Sequence, residues 1–257
     1  MSLFTGSGVA LVTPFKDNKV NYEMLEYLIN YHINNNTDAI IVCGTTGESA
    51  TLSSEEKLKI YEFSVDVAKK KVPIIAGTGT NNTLESIGLS QHAERVGCDG
   101  LLVVTPYYNK PTPAGLIAHY EKIANTVNIP IIIYNVPSRT GVDLLPETIK
   151  ELSRIPNIEA IKEASGDISK IVKISELCKQ LIIYAGNDDQ LIPVLSLGGK
   201  GVISVTANLI PNEIHDITAE YLCGNHYLAL LKFLKLRKLN EIMFIETNPV
   251  PVKTALN

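Results

Sequence analysis

The sequence predicts a (β/α)8 TIM barrel, and three observations carry that prediction. Short apolar runs recur at intervals of roughly 20 to 35 residues, each followed by a helix-like pattern. The runs are continuous in Val, Ile and Leu rather than alternating, as expected of parallel strands covered on both faces. Polar motifs follow nearly every run instead of gathering at one point, and no Gly-x-Gly-x-x-Gly follows the first. An open doubly wound sheet, which binds ligands at a single switch point, is the poorer fit.

The runs come in order at residues 8–14, 39–43, 73–76, 100–104, 130–134, a sixth beginning at Ile158, 181–185 and 201–205. Amphipathic stretches follow the first at Tyr22–Asn34 and the third at about 83–96. After the second, Ser53-Ser54-Glu55-Glu56 reads as a helix start, with a serine cap and acids in the first turn. With 257 residues, 45% of them hydrophobic, the chain has enough material for one large core. A single barrel domain over 1–257 is expected, with residues from about 225 forming the last barrel helix and a C-terminal segment.

Composition narrows the function. Net charge is −4, from 23 Lys+Arg against 27 Asp+Glu, and no basic stripe offers itself to nucleic acid or an anionic membrane. No apolar run approaches the roughly 20 residues that span a bilayer. The N-terminus lacks the basic flank and apolar run of a signal peptide, so a cytoplasmic location is expected. Cys43, Cys98, Cys178 and Cys223 are widely spaced with no Cys-x-x-Cys pair, which suggests buried free thiols rather than a zinc site.

In a barrel, chemistry gathers at the C-terminal ends of the strands. Thr45 and Thr46 follow the second run, and Tyr107 and Tyr108 the fourth. Tyr134 closes the fifth with Arg139 just beyond, and Lys162 closes the sixth. Singly, each residue has a structural explanation, such as a turn hydrogen bond, a half-buried tyrosine or a surface ion pair. Together they describe one chemistry. Burial penalises the charged form of a lysine and so favours the amine, which condenses with a keto acid to an imine. The imine is an electron sink, so the adjacent carbon loses a proton and an enamine forms. The two threonines suit the keto acid's carboxylate, and Tyr134 can shuttle protons. Arg139 offers a planar fork to a second carboxylate. No metal or cofactor is required.

Five segments, Gly44-Thr45-Thr46-Gly47-Glu48, Thr105-Pro106-Tyr107-Tyr108-Asn109, Tyr134 through Gly141, Ile161 through Gly166 and Gly201 through Val205, closely resemble the dihydrodipicolinate synthase family. This family lies within the N-acetylneuraminate lyase superfamily of class I pyruvate-dependent aldolases. The resemblance runs from about Gly6 to the last residue. It implies condensation of pyruvate with L-aspartate-4-semialdehyde to 4-hydroxy-tetrahydrodipicolinate, in the diaminopimelate route to lysine. Lys162 is then the Schiff-base lysine, with Thr45, Tyr108 and Tyr134 as a proton relay. Thr46 helps to hold the pyruvate carboxylate, Arg139 binds the aldehyde's carboxylate, and Gly186 and Ile203 contribute backbone to the pocket. Two alternatives remain: an N-acetylneuraminate lyase-like or 2-keto-3-deoxy sugar acid aldolase, and an inactive barrel serving as a binding or regulatory subunit. Arg139 favours the synthase over the sugar-acid aldolases.

The resemblance also implies a homodimer, with a homotetramer as the larger alternative, and a C-terminal helical extension that is mostly missing here. It places an effector site for lysine near Ser49, Ala50, Asn81, Glu85 and Tyr107. This sequence departs from that site at Ser54 and Lys57, so weak inhibition by lysine is expected.

Overall fold

The computed structural model describes residues 3–257. Eight parallel strands close on themselves: β1 (Gly6–Ala10), β4 (Ala39–Val42), β5 (Ile74–Gly77), β6 (Gly100–Val104), β7 (Ile131–Asn135), β8 (Ile158–Glu163), β9 (Ile182–Ala185) and β10 (Gly201–Ser204). β1 pairs with both β4 and β10, which closes the barrel. Helices stand between the strands, among them α1 (Tyr22–Asn34), α2 (Ser54–Ala68), α3 (Thr83–Val96) and α4 (Pro113–Ala124). The second half adds α5 (Pro137–Thr140), α6 (Pro146–Leu152), α7 (Ile168–Leu177), α8 (Leu191–Ser196) and α9 (Pro211–Leu222). α1 and α3 keep the bounds their periodicity predicts. α2 starts at a full capping box, in which Ser53 accepts from Glu56 N while the Glu56 carboxylate accepts from Ser53 N. Such a cap is worth about 0.5–2 kcal/mol.

Strand alternation sorts the apolar residues into two cores. Ile41, Ile75, Leu102, Ile132, Ala160 and Ile203 face inward and fill the barrel. Their neighbours Ile40, Ile74, Leu101, Ile133 and Ile161 face outward and pack under the helices. Because successive strand side chains point to opposite faces, Tyr134 and Lys162 project inward with Ile132 and Ala160. Asn135 and Glu163 project outward. The lower interior is sealed by Phe4, stacked on Tyr184 at 4.2 Å, while the Tyr184 hydroxyl donates to the Phe4 carbonyl.

Four features differ from the sequence reading. The first strand is β1 at Gly6–Ala10, earlier than the run at 8–14. The leftover apolar residues lead instead into a small hairpin, β2 (Phe15–Lys16) and β3 (Lys19–Val20). Its turn residues Asp17 and Asn18 have φ of 52° and 58°, the left-handed geometry that suits tight hairpins. The helix that follows β10 is α9, which ends at Leu222, so the barrel closes before residue 225. Beyond it, α10 (His226–Lys235), α11 (Arg237–Ile242) and α12 (Val250–Leu256) form a helical C-terminal segment, so the extension expected to be mostly missing is present in part. Finally, Cys43, Cys98 and Cys178 are buried free thiols, but Cys223, just past the end of α9, is exposed.

Candidate active site

The sequence-predicted residues converge on the C-terminal end of the barrel. Tyr134 on β7 and Lys162 on β8 are register partners, and Tyr184 on β9 is the partner of Lys162 on the other side. Lys162 is buried, and its Nζ lies 4.3 Å from the centre of the Tyr134 ring. A cation over an aromatic face is attracted by the ring's quadrupole, so the tyrosine ring helps to hold the lysine in place.

Above this pair opens a cavity of about 710 Å³. Thr45, Tyr108, Tyr134 and Arg139 all line it, together with Asn248 and Pro249 from the C-terminal segment. Lys162, Thr46, Gly186 and Ile203 are not lining residues. Lys162 reaches the cavity wall through Tyr134, and Thr46 is buried and meets the wall through Asn248. Thr45, Tyr108 and Tyr134 share the wall without hydrogen bonds to one another among the described residues. Tyr108 is 89% exposed at the rim. Gly186 sits where its N–H donates to the Glu163 carbonyl at 2.7 Å, and a Cβ there would meet that oxygen and the Ala164 methyl. Ile203 lies wholly inside the barrel core.

Three residues with left-handed backbone stand at this end. Cys43, Glu48 and Tyr108 line the cavity with φ of 52°, 59° and 70°, in the left-handed region that non-glycine residues avoid. Strain of this kind persists where surrounding structure holds it, and it clusters at functional sites. At Gly77 the Cys43 carbonyl comes so close that a Cβ would stand 2.1 Å from its oxygen, so only glycine lets the turn after β4 fold across β5.

Two buried carboxylates support the strands that carry the lysine. Glu163, outward on β8, accepts from Asn135 Nδ2 at 3.0 Å and from Ser165 N at 2.7 Å. Burial raises its pKa, and the Ser165 and Asn135 bonds and the Lys170 charge pull it back. Asn135 also donates to Asp143, which ion-pairs with Lys170, and accepts from Leu144 N. This network pins the ends of β7 and β8 together. Asp188, just beyond β9, accepts from Ser204 Oγ, Val205 N and Thr206 N. Its carboxyl is likewise raised by burial, and those bonds and then the charge of Lys162 offset the rise.

Sequence reasoning did not find Asn248. Its Nδ2 donates to Thr46 Oγ1 at 3.0 Å, and its backbone carbonyl accepts from Arg139 Nη2 at 3.0 Å. Lys253 fastens the same segment by donating to the Thr13 carbonyl and pairing with Glu48. No local pattern marks a residue that reaches the site from the far end of the chain.

Among the described residues, no group of three or more His, Cys, Asp or Glu side chains is placed to hold a metal ion, and no helix is long and apolar enough to cross a membrane. The arrangement is that of a buried lysine beside a phenol, under a cavity with an arginine at its edge.

Comparison with known proteins places the whole chain in one family. The model of the Dihydrodipicolinate synthetase family matches residues 3–257. The 4-hydroxy-tetrahydrodipicolinate synthase of Clostridium novyi (strain NT) is 53% identical, with 100% of this chain and 87% of that protein covered. The crystal structure of dihydrodipicolinate synthase from Aquifex aeolicus superposes with a TM-score of 0.97 at 48% identity, covering 98% of this chain and 87% of that one. The chloride-inhibited dihydrodipicolinate synthase from Acinetobacter baumannii, complexed with pyruvate, gives a TM-score of 0.95 at 45% identity, with 98% and 87% covered. The fold and these likenesses agree, and the chain belongs to the dihydrodipicolinate synthetase family.

Proposed function

We propose that the chain condenses pyruvate with L-aspartate-4-semialdehyde to 4-hydroxy-tetrahydrodipicolinate, a step in making diaminopimelate and lysine. The observation that carries this is the inward pair of Lys162 and Tyr134 on adjacent strands, in a chain of this family. The Lys162 amine adds to the keto carbon of pyruvate and water leaves, giving the imine. Loss of a methyl proton gives the enamine, which attacks the aldehyde carbon while the aldehyde oxygen takes up a proton. The amine of the second substrate then displaces Lys162 from the imine carbon and closes the ring. Tyr134 and Thr45, with Tyr108 reaching in from a second copy, carry the protons, Thr46 holds the pyruvate carboxylate, and Gly186 and Ile203 shape the pocket with their backbone. Arg139 takes the carboxylate of the aldehyde.

A sugar-acid aldolase would share the lysine and tyrosine, but Arg139 on the cavity wall favours a short second substrate with its own carboxylate. A coupled assay with pyruvate, offering aspartate-semialdehyde beside N-acetylmannosamine and glyceraldehyde, tests the assignment. Turnover of the first is expected, and turnover of a sugar aldehyde alone would move the chain to the aldolases. A cytoplasmic location, where pyruvate is made, follows from the same reading. The exposed, strained Tyr108 supports a dimer in which this residue completes the site of a second copy. A fully active monomer in sedimentation at assay concentration would overturn that arrangement.

A further inference from the structure

We propose that Asn248 is a positioning residue for the keto acid, acting through the direction of the Thr46 hydroxyl. The inference rests on the reading that Thr46 meets the pyruvate carboxylate. An amide nitrogen is a donor only, so Thr46 Oγ1 must accept from Asn248 Nδ2. Its own proton is thereby turned away from Asn248 and is free to be donated to an anion. The same residue's backbone carbonyl takes Arg139 Nη2. One residue thus touches both the threonine at the keto acid and the arginine at the second carboxylate.

Packing alone does not account for an asparagine here. Asn248 is 6% exposed, and its Oδ1 is buried without a hydrogen-bond partner. An unpaired buried acceptor is a cost that an apolar side chain of the same size would avoid. What the asparagine supplies in return is the donor to Thr46. Its place is fixed from behind by Lys253, which donates to the Thr13 carbonyl, pairs with Glu48 and lies 4.5 Å from the centre of the Phe15 ring. The arginine contact uses the main chain, so side-chain substitutions at 248 separate the two ends of the site.

The experiment is borohydride trapping of pyruvate across a concentration series, with Asn248→Ala, Asn248→Asp and Thr46→Val alone and combined with Asn248→Ala. Asn248→Ala should raise the pyruvate concentration for half-trapping by about tenfold, the usual loss for one hydrogen bond to a charged group. Asn248→Asp should raise it further, because a carboxylate accepts the Thr46 proton and repels the substrate. The KM of the aldehyde should change by less than the half-trapping concentration in both. Adding Asn248→Ala to Thr46→Val should cost nothing more, since partners in one interaction are not additive. If Asn248→Ala is insoluble, Asn248→Ser carries the same readout with a smaller change of volume. Unchanged half-trapping in the variants, or full additivity with Thr46→Val, overturns the proposal. A wild-type chain that traps no pyruvate overturns the functional reading and this proposal with it, whereas trapping by the wild type with matching variants sinks this proposal alone.

Discussion

Tyr134 and Lys162 are register partners on neighbouring strands, and the lysine ammonium lies 4.3 Å from the centre of the tyrosine ring. The contact uses the ring face, whereas the proposed proton transfer uses the hydroxyl. Tyr134→Phe separates the two. It should keep the lysine in place and the thermal midpoint near wild type, while kcat falls by about 10²–10⁴, the usual contribution of a general acid–base. A normal kcat in this variant would remove the hydroxyl from the mechanism.

Arg139 is held by the Asn248 carbonyl at the cavity wall and is otherwise exposed. Removing a hydrogen-bonded charge partner costs about 2–5 kcal/mol when the pair is buried. For an exposed arginine the lower end applies, so Arg139→Ala should raise the KM of the aldehyde by roughly 30-fold. Trapping of pyruvate should be unaffected. Equal damage to both would show that the arginine instead holds the site together.

Lys57 is buried on α2, so its charge is not simply carried away into solvent. Nearby, Ser54 Oγ donates to Glu85, and Ser49, Ala50 and Tyr107 line the cavity. A cationic effector at this end of α2 would face a second cation. Two unit charges 4 Å apart repel by about 1 to 4 kcal/mol, depending on the local dielectric. Weak or absent inhibition by lysine is predicted, measured as initial rate at saturating pyruvate. Half-inhibition at submillimolar lysine would contradict it.

Two buried histidines outside the site should lower stability on the acid side. His32 and His119 are buried, each with Nε2 unpaired, and burial pushes both pKa values down to about 4. Below about 6.5 the unfolded chain takes up these protons and the folded chain does not. Their contribution is therefore present above pH 6.5 and is lost as pH falls towards 4, by at most about 3 kcal/mol for each. Glu163 and Asp188, raised by burial, act in the opposite sense in the carboxylate range. Urea midpoints at pH 7.5, 6 and 4.5 should fall less steeply for His32→Gln with His119→Gln than for wild type. Parallel slopes would assign the acid sensitivity elsewhere.

The barrel was legible because its strands are buried on both faces and so read as unbroken apolar runs. Tyr134 and Lys162 were legible because a tyrosine and a lysine closing such runs have few structural reasons to be there. What was not legible depends on folding over long separations. Asn248 meets Thr46 across 202 positions, and nothing around it distinguishes it from a turn residue. The buried role of Asp188 needs Ser204 and two backbone amides after β10, which no local pattern announces. The strained φ values of Cys43 and Tyr108 come from packing against neighbouring strands and loops, not from their own preferences. The β2–β3 hairpin was hidden because Asp17 and Asn18 follow an apolar run that reads as one longer strand.

The most direct test of the whole account is covalent trapping at Lys162. Borohydride added with pyruvate should attach one reduced pyruvate unit irreversibly to the peptide that contains Lys162. The Lys162→Ala variant, folded as judged by an unchanged circular dichroism spectrum, should carry none. A label that persists at full yield in that variant would place the imine on another residue and contradict the mechanism.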